Sequence, residues 1–517
     1  MAGRKENLIA GTFTGAAALI CFAQAQSQTA RDGALYPPDV MDAPNGAQVA
    51  ASVSKSDLPS ANEQKVTHKQ SPFAINETPL VKALGPAAFV LNDVGVSEAF
   101  RARIRRAVGR HPTYHAQISA LDESRAERKR ARSTLYPQLS TQLRGDYVIK
   151  RDFATDTDNI VESLRPREQF SAAISASQLV FDGGATFQRI KSARARHSEF
   201  QNAVSTRIND LSLSALAAYH DLLTHQALLA FGEAFIQRHE KILQDVKERE
   251  RLGAGSRADV TRALARLAAA RARVSQIRES KRLAEVRYVE FFDEVTEPLS
   301  RPPFSRLAVD NRDAAVQAAL QRNPELAVIA ARAEASRADY KVAKSARLPE
   351  VRVSVDAVKF DVFDSGDDFD VRAGVNLNYD IFGGGARAAD IAEARARARQ
   401  AKFGEDQIRR EIARDAALAF ERREGAQDRL RALETAVIAH DQTRELILER
   451  YLIARGDLID VLQAENDYFE AGLAYLTGLA NRDMAVYGLM EHTGDLLRFF
   501  SPQQEFAAIV NEGAHGE

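Results

Sequence analysis

Four short stretches of this chain alternate apolar and polar residues with a period of two. In 138–149, Leu139, Leu143, Tyr147 and Ile149 share one side, with Gln138, Ser140, Gln142, Arg144 and Asp146 on the other. In 169–181, Phe170, Ala172, Ile174 and Ala176 oppose Ser171, Ser175 and Ser177. In 351–358, Val351, Val353, Val355 and Ala357 oppose Arg352, Ser354 and Asp356. In 371–381, Val371, Ala373, Val375, Leu377, Tyr379 and Ile381 oppose Arg372, Asn376, Asn378 and Asp380. A period of two predicts strands. Elsewhere apolar positions recur at three and four, as in Leu213, Leu216, Ala217, His220 and Leu223, which predicts helix. Residues 185–252 contain only Gly232 as a breaker, and 386–454 only Gly404 and Gly425. A helix of roughly 68 residues would run about 100 Å, a length that suggests coiled-coil packing. Each ends at a glycine turn, Gly253-Ala254-Gly255 or Gly456, and a shorter helix follows, 257–292 or 458–492. Two antiparallel helical hairpins result. One further helix precedes each pair of strands, about 96–134 and 311–346.

The order of elements repeats. Gly-Arg-His-Pro at 109–112 returns as Gln-Arg-Asn-Pro at 321–324, and Leu-Tyr-Pro at 135–137 as Arg-Leu-Pro at 347–349. Phe-Asp-Gly-Gly at 181–184 returns as Ile-Phe-Gly-Gly at 381–384, and Gly255 with Asp259-Val260 as Gly456 with Asp460-Val461. A repeat this long and iterated only once is a duplicated unit, not a solenoid. The expected organisation is a signal peptide at 1–25, a flexible arm at 26–95, the first unit at 96–310, the second at 311–493 and a tail at 494–517.

Composition changes this picture at the N-terminus. Arg4 and Lys5 precede an apolar stretch, Leu8–Phe22, and Ala23-Gln24-Ala25 is a small-residue cleavage site, the layout of an export signal. Cys21 is the only cysteine, and the preceding Leu19-Ile20 lacks the small residue that lipid attachment favours. Seven of the 16 prolines fall in 37–86 amid polar residues, which is why that segment reads as an arm. The net charge of −1 supplies no basic footprint for nucleic acid.

The strands constrain the assembly. An apolar side opposite a charged one fits a barrel strand between lipid and a wet lumen, and it also fits a soluble sheet packed on a helix. Four strands cannot close a membrane barrel, and lipid forbids open edges. Chains must therefore pool their strands, and a channel wide enough for cargo favours three chains and about twelve strands.

Over about 96–493 the chain resembles the TolC-type outer-membrane efflux proteins, the outer-membrane factors of tripartite efflux and type I secretion systems. The resemblance rests on the duplicated unit, the strand starts at Pro137 and Pro349, and the strand ends Leu-Val-Phe-Asp-Gly-Gly (179–184) and Tyr-Asp-Ile-Phe-Gly-Gly-Gly (379–385). The tip sequences Gly255-Ser-Arg-Ala-Asp-Val and Gly456-Asp-Leu-Ile-Asp-Val-Leu complete it. The implied fold is mostly α with membrane β: a homotrimer with a twelve-stranded barrel and an α-helical tunnel. A belt surrounds the tunnel, for which 293–310 and the segment after 493 are candidates. The implied function is passive export of small molecules or proteins, with no enzymatic activity and no cofactor. The implied partners are outer-membrane lipid, a periplasmic adaptor and an inner-membrane pump. A periplasmic coiled-coil structural or adaptor protein is the alternative; it explains the helices but not the strands.

The same resemblance points to candidate residues. Gly253, Gly255, Arg257, Asp259, Gly456 and Asp457 form the tips that meet an adaptor. Asp460 occupies the place of a gating aspartate, and Gln463 stands where a second acid is expected. The plainer reading of Asp259 and Asp460 is as helix N-terminal acids that satisfy the dipole and the cap. Gly183, Gly184, Gly383 and Gly384 mark the strand ends. The aspartates of 361–370 have oxygen ligands to offer Ca²⁺, but a solvated, extracellular hairpin loop is the better explanation. His111 and His115 lack a third ligand, so no metal site is expected. No nucleophile motif, Cys/His cluster or phosphate loop is present.

Overall fold

The computed structural model describes residues 78–91, 98–150, 167–295, 299–302, 309–360, 362–363, 368–453 and 455–500. The signal peptide, most of the arm, half of the aspartate loop at 361–370 and the end of the tail lie outside the described residues. The helices are α1 (Pro79–Leu84), α2 (Glu98–Arg110), α3 (Pro112–Ser133), α4 (Ala185–Arg251), α5 (Arg257–Phe292), α6 (Arg312–Arg322), α7 (Pro324–Ser345), α8 (Ala386–Leu452), α9 (Leu458–His492) and α10 (Asp495–Phe500). The strands are β1 (Gln138–Tyr147), β2 (Glu168–Phe181), β3 (Glu350–Lys359) and β4 (Phe369–Asn378). Both 67-residue helices form, and each folds back on its shorter partner.

Three expectations need correction. The single helices expected at 96–134 and 311–346 are each two helices. Pro112 and Pro324 open the second member of each pair, because a proline ring cannot follow a full helical turn but suits a first position. His111 Nδ1 accepts from the Thr113 N–H at 3.3 Å, and Asn323 Oδ1 accepts from the Glu325 N–H at 2.9 Å, capping the new starts. The arm assigned to 26–95 is ordered at its end. After α1 comes a 3₁₀ helix, Gly85–Leu91, and Ala83, Leu84, Ala87 and Val90 are buried in the main core. Finally, the glycine pair at the second strand end is displaced by one residue. Gly183 and Gly184 have φ of 65° and 85°, and the matching positive values belong to Gly384 and Gly385, at 60° and 87°. Gly383 is therefore not the counterpart of Gly183. Only glycine enters this left-handed region cheaply, and Gly184 and Gly385 are the N-caps of α4 and α8.

The four strands make one antiparallel sheet in the order β1-β2-β3-β4. Its register aligns the apolar stripes over most of their length; Gln178 falls opposite Val353, and the pairing shifts between Leu179 and Phe181. Leu139 faces Ala176, Leu143 faces Ala172, Ala176 faces Val355, Val353 faces Val375 and Ala357 faces Val371. The other face pairs Ser140 with Ser175, Asp356 with Arg372 and Arg352 with Asn376. Pro137 and Pro349 immediately precede β1 and β3, where a missing N–H costs no ladder bond.

The main core lies among the helices. Phe231, Phe235, Tyr468 and Phe469 stack across α4 and α9, with Phe235 and Phe469 centroids 4.0 Å apart. Nearer the sheet, Tyr219, Tyr288 and Phe292 join Phe100 and Phe500, so α10 closes the core rather than trailing from it. The belt candidate 299–302 is pinned there. The Tyr219 hydroxyl donates to the Ser300 carbonyl at 2.7 Å, and Arg301 grips Asp483 with two bonds of 2.7 and 2.8 Å. No described helix is long and apolar enough to cross a membrane.

Candidate functional site

The two hairpin tips are built on one backbone plan. At the first, the Gly253 N–H donates to Glu250 O at 3.0 Å and the Ala254 N–H to Arg249 O at 2.8 Å, the double bond of a Schellman C-cap. Gly253 has φ of 75°. At the second, the Arg455 N–H donates to Arg450 O at 2.9 Å. The next glycine is a packing requirement at both. A Cβ on Gly255 would lie 3.1 Å from Glu250 N, and one on Gly456 would lie 3.3 Å from Tyr451 N. Each turn presses back on the last turn of its own helix.

The acids at the tips differ. Ser256 and Asp259 form a complete capping box at α5. The Asp259 N–H donates to Ser256 Oγ at 3.2 Å, the Ser256 N–H donates to Asp259 Oδ2 at 3.4 Å, and Arg262 binds Asp259 Oδ1 at 3.2 Å. The carboxylate of Asp259 is occupied by its own helix, and Arg257 stands exposed beside it. Asp457 caps α9 by position but makes no side-chain cap bond. Asp460 takes the place of Asp259, at the third helical position, yet it is exposed and none of its side-chain atoms bonds another described residue. Gln463 follows on the same face, exposed, and its amide donates to Asp467 Oδ1 at 2.7 Å.

The tips are joined. Arg249 of α4 donates to the Tyr451 and Leu452 carbonyls at 3.2 and 3.4 Å, and its guanidinium lies 4.2 Å from the Tyr451 ring centre. Burial raises the Tyr451 hydroxyl pKa, with Arg249 opposing. Val246, Val461 and Leu462, each 1% exposed, pack beneath this link. Sequence reasoning missed this arrangement, because nothing in the spacing of a lone arginine and tyrosine some 200 residues apart marks them as neighbours. It also missed Glu465, Asp441 and Arg444, all buried on the α8–α9 seam.

At the other end, the apolar face of the sheet is bare. Leu143 is 80% exposed and Val375 71%, and no helix makes more than marginal contact with the sheet. Phe170 lies over Gly145 on this face, where an added Cβ would fall 2.6 Å from the ring. Gly183 is held for a different reason: its Cβ would meet Leu348 Cβ at 2.8 Å and Ser345 O at 2.9 Å. The end of the first unit's β2 thus packs on the start of the second unit's β3. His111 stacks on Phe291 with centroids 5.4 Å apart, which accounts for it without a metal. Among the described residues no group of His, Cys, Asp and Glu is arranged to hold a metal ion.

A bare apolar sheet above paired helical hairpins, each unit built twice, is the layout that the sequence model of the outer membrane efflux protein family matches at residues 104–288 and 315–495. The chain belongs to that family. It is 23% identical over 394 residues to outer membrane efflux protein BepC of Brucella suis, covering 74% of this chain and 84% of BepC. It is 25% identical over 425 residues to protein CyaE of Bordetella pertussis, covering 80% and 86%. Its fold is that of the Campylobacter jejuni CmeC outer membrane channel, with a TM-score of 0.70 at 12% identity over 89% of this chain and 98% of that one. As a family member the protein resides in the outer membrane with a periplasmic extension. It is the exit duct of a tripartite export system, a passive conduit rather than an enzyme.

Proposed function

We propose that three copies pool their sheets into one twelve-stranded barrel, with the helices continuing as a tunnel through which cargo leaves. One observation carries this reading. The sheet has a largely apolar face and, among the described residues, two unpaired edges, β1 and β4. Backbone groups left open in hydrocarbon cost several kcal/mol each (roughly), so β1 of one copy must meet β4 of the next. The exposed apolar residues of α5, namely Leu264, Leu283, Val286 and Val289, support the same assembly, because they have no cover within the protomer. The far tips, Gly253–Asp259 and Gly456–Asp460, then meet a periplasmic adaptor coupled to an inner-membrane pump. Three copies of Asp460 converge as an acidic ring that attracts cations and defines the constriction. The duct carries whatever small molecule or protein its pump delivers.

Cysteine pairs scanned across β1 and β4 test the closure. Oxidation is expected to give a covalent ladder that ends at three chains, in protein recovered from the outer membrane and conducting in planar bilayers. A ladder ending at two chains overturns the stoichiometry. A soluble periplasmic monomer with no cross-links overturns the duct.

A further inference from the structure

The seam between the second hairpin and α4 contains a group of charges that the helical pattern reserves for apolar residues. On α8, the buried run Val437, Asp441, Arg444 and Tyr451 follows a three-and-four spacing, and so does Leu458, Val461, Leu462, Glu465, Tyr468 and Phe469 on α9. Asp441, Arg444 and Glu465 are 4%, 6% and 3% exposed. Arg444 commits to Asp441, donating from Nε at 3.0 Å and again from Nη2. What remains for Glu465 Oε1 is a 3.4 Å contact from Arg444 Nη1 and a 3.6 Å contact from Arg238 of α4. Arg238 is itself partly solvated. Glu465 Oε2 is buried and has no hydrogen-bond partner among the described residues. A half-paired carboxylate in a buried seam is costly when ionised and comfortable when protonated.

The surroundings are complete enough to fix the sign. Glu465 meets Arg238 from α4 and Arg444 from α8, with the Asp441 charge acting on it as well; Glu445 of α8 acts on Asp441 and Tyr468. Tyr468 lies on its own helix, beneath the Arg444 guanidinium at 4.2 Å. From α1 comes Lys82, which bridges Glu445 at 3.0 Å, while the Tyr468 hydroxyl donates to the Ala83 carbonyl. On the other side of α9, Arg273 of α5 pairs with Glu470. Burial first, and the Asp441 charge in addition, push the Glu465 carboxyl up to about 7 against the pull of Arg238. Burial likewise raises Asp441. The packed seam therefore binds the Glu465 proton more tightly than an opened, hydrated seam would. Packing is favoured at low pH, and that advantage is lost as pH rises towards about 7.

We propose that Glu465, set against Asp441, Arg444 and Arg238, is a proton-operated latch that closes α9 onto α4 and α8 and releases it on ionisation. The latch stands immediately behind the tip, because Asp460 lies little more than one turn before Glu465 on the same helix. Release of α9 frees the segment that carries Asp460. Only this last consequence, at the pore, rests on the duct reading; the latch itself does not.

Amide exchange of peptides covering 458–470, corrected for intrinsic rate, tests the latch in the purified full-length protein between pH 5.5 and 8.5. Exchange is expected to quicken severalfold through a midpoint near 7. Glu465→Gln is expected to keep the slow, low-pH behaviour throughout. Asp441→Asn is expected to move the midpoint down, since it removes a neighbouring negative charge and releases Arg444 to Glu465; a merely structural role would lower protection without moving the midpoint. Flat exchange in the unaltered protein overturns the latch even where a variant fails to assemble, and so does an unchanged midpoint in Glu465→Gln. Bilayer conductance across the same range reads the pore separately. Conductance is expected to rise with the exchange, and a protein that never conducts counts against the duct while the exchange result still decides the latch.

Discussion

The two hairpins descend from one unit and have been put to different uses. In the first, α5 buries six residues, and its apolar side chains at 283, 286 and 289 face outward. In the second, α9 is of nearly equal length but buries seventeen, among them Phe469, Tyr487 and Leu489. The acids follow the opposite rule. Asp259 is tied to Ser256 and Arg262, whereas Asp460, at the same helical position, is left free. One hairpin keeps its charge to itself and offers grease. In the other, α9 hides most of its grease and offers charge. A shared backbone plan thus says little about role; the partners of each side chain decide it.

The steepest way to break this comparison is through the core. Phe469, fully buried between Phe231 and Phe235, should cost about 3–5 kcal/mol when cut to alanine. Val286→Ala on α5 should stay within ~0.5 kcal/mol for the chain itself and appear instead as easier dissociation of the assembly. Denaturant titration in detergent, read beside native electrophoresis, separates the two; equal losses would erase the asymmetry. Next comes the free charge. Asp460→Ala should weaken block by a multivalent cation added from the tip side about tenfold, or ~1.4 kcal/mol, with Asp259→Ala leaving block as it was. Block that survives Asp460→Ala rules out the ring. A finer contrast lies in the caps: Ser256→Ala should cost about 1 kcal/mol of stability. Smallest of all is Asp457→Ala, expected to change stability by less than ~0.5 kcal/mol because no cap bond is lost; a larger drop would show a bond formed only in the assembly.

Periodicity made the elements legible to within two or three residues, since both the strands and the long helices express a single repeating burial rule. Register followed from the same signal, because pairing by one residue more or less would have turned Val353 away from Val375. The breaks at Pro112 and Pro324 are also written in the chain, where the continuous apolar spacing on either side masks them. The ordered α1 and the 3₁₀ helix after it were not legible, because their four buried residues, two in each, are too few to set a period. Around the tips, the glycines announced the turns, and Asp460 was singled out by resemblance. The link from Arg249 to Tyr451 was hidden, since contact across the duplication leaves no local trace. Glu465 was visible in principle as an acid on an apolar stripe, between Leu462 and Phe469.

The two raw edges of the sheet also bear on how the protein is made. A newly exported chain holds β1 and β4 ready to pair with any strand it meets. On the proposed pooling of sheets, maturation depends on how many siblings are close at hand, and scarcity would leave each chain waiting, sticky and vulnerable to proteases. If the first pairing of two chains sets the pace, doubling the supply of chains should roughly halve that wait.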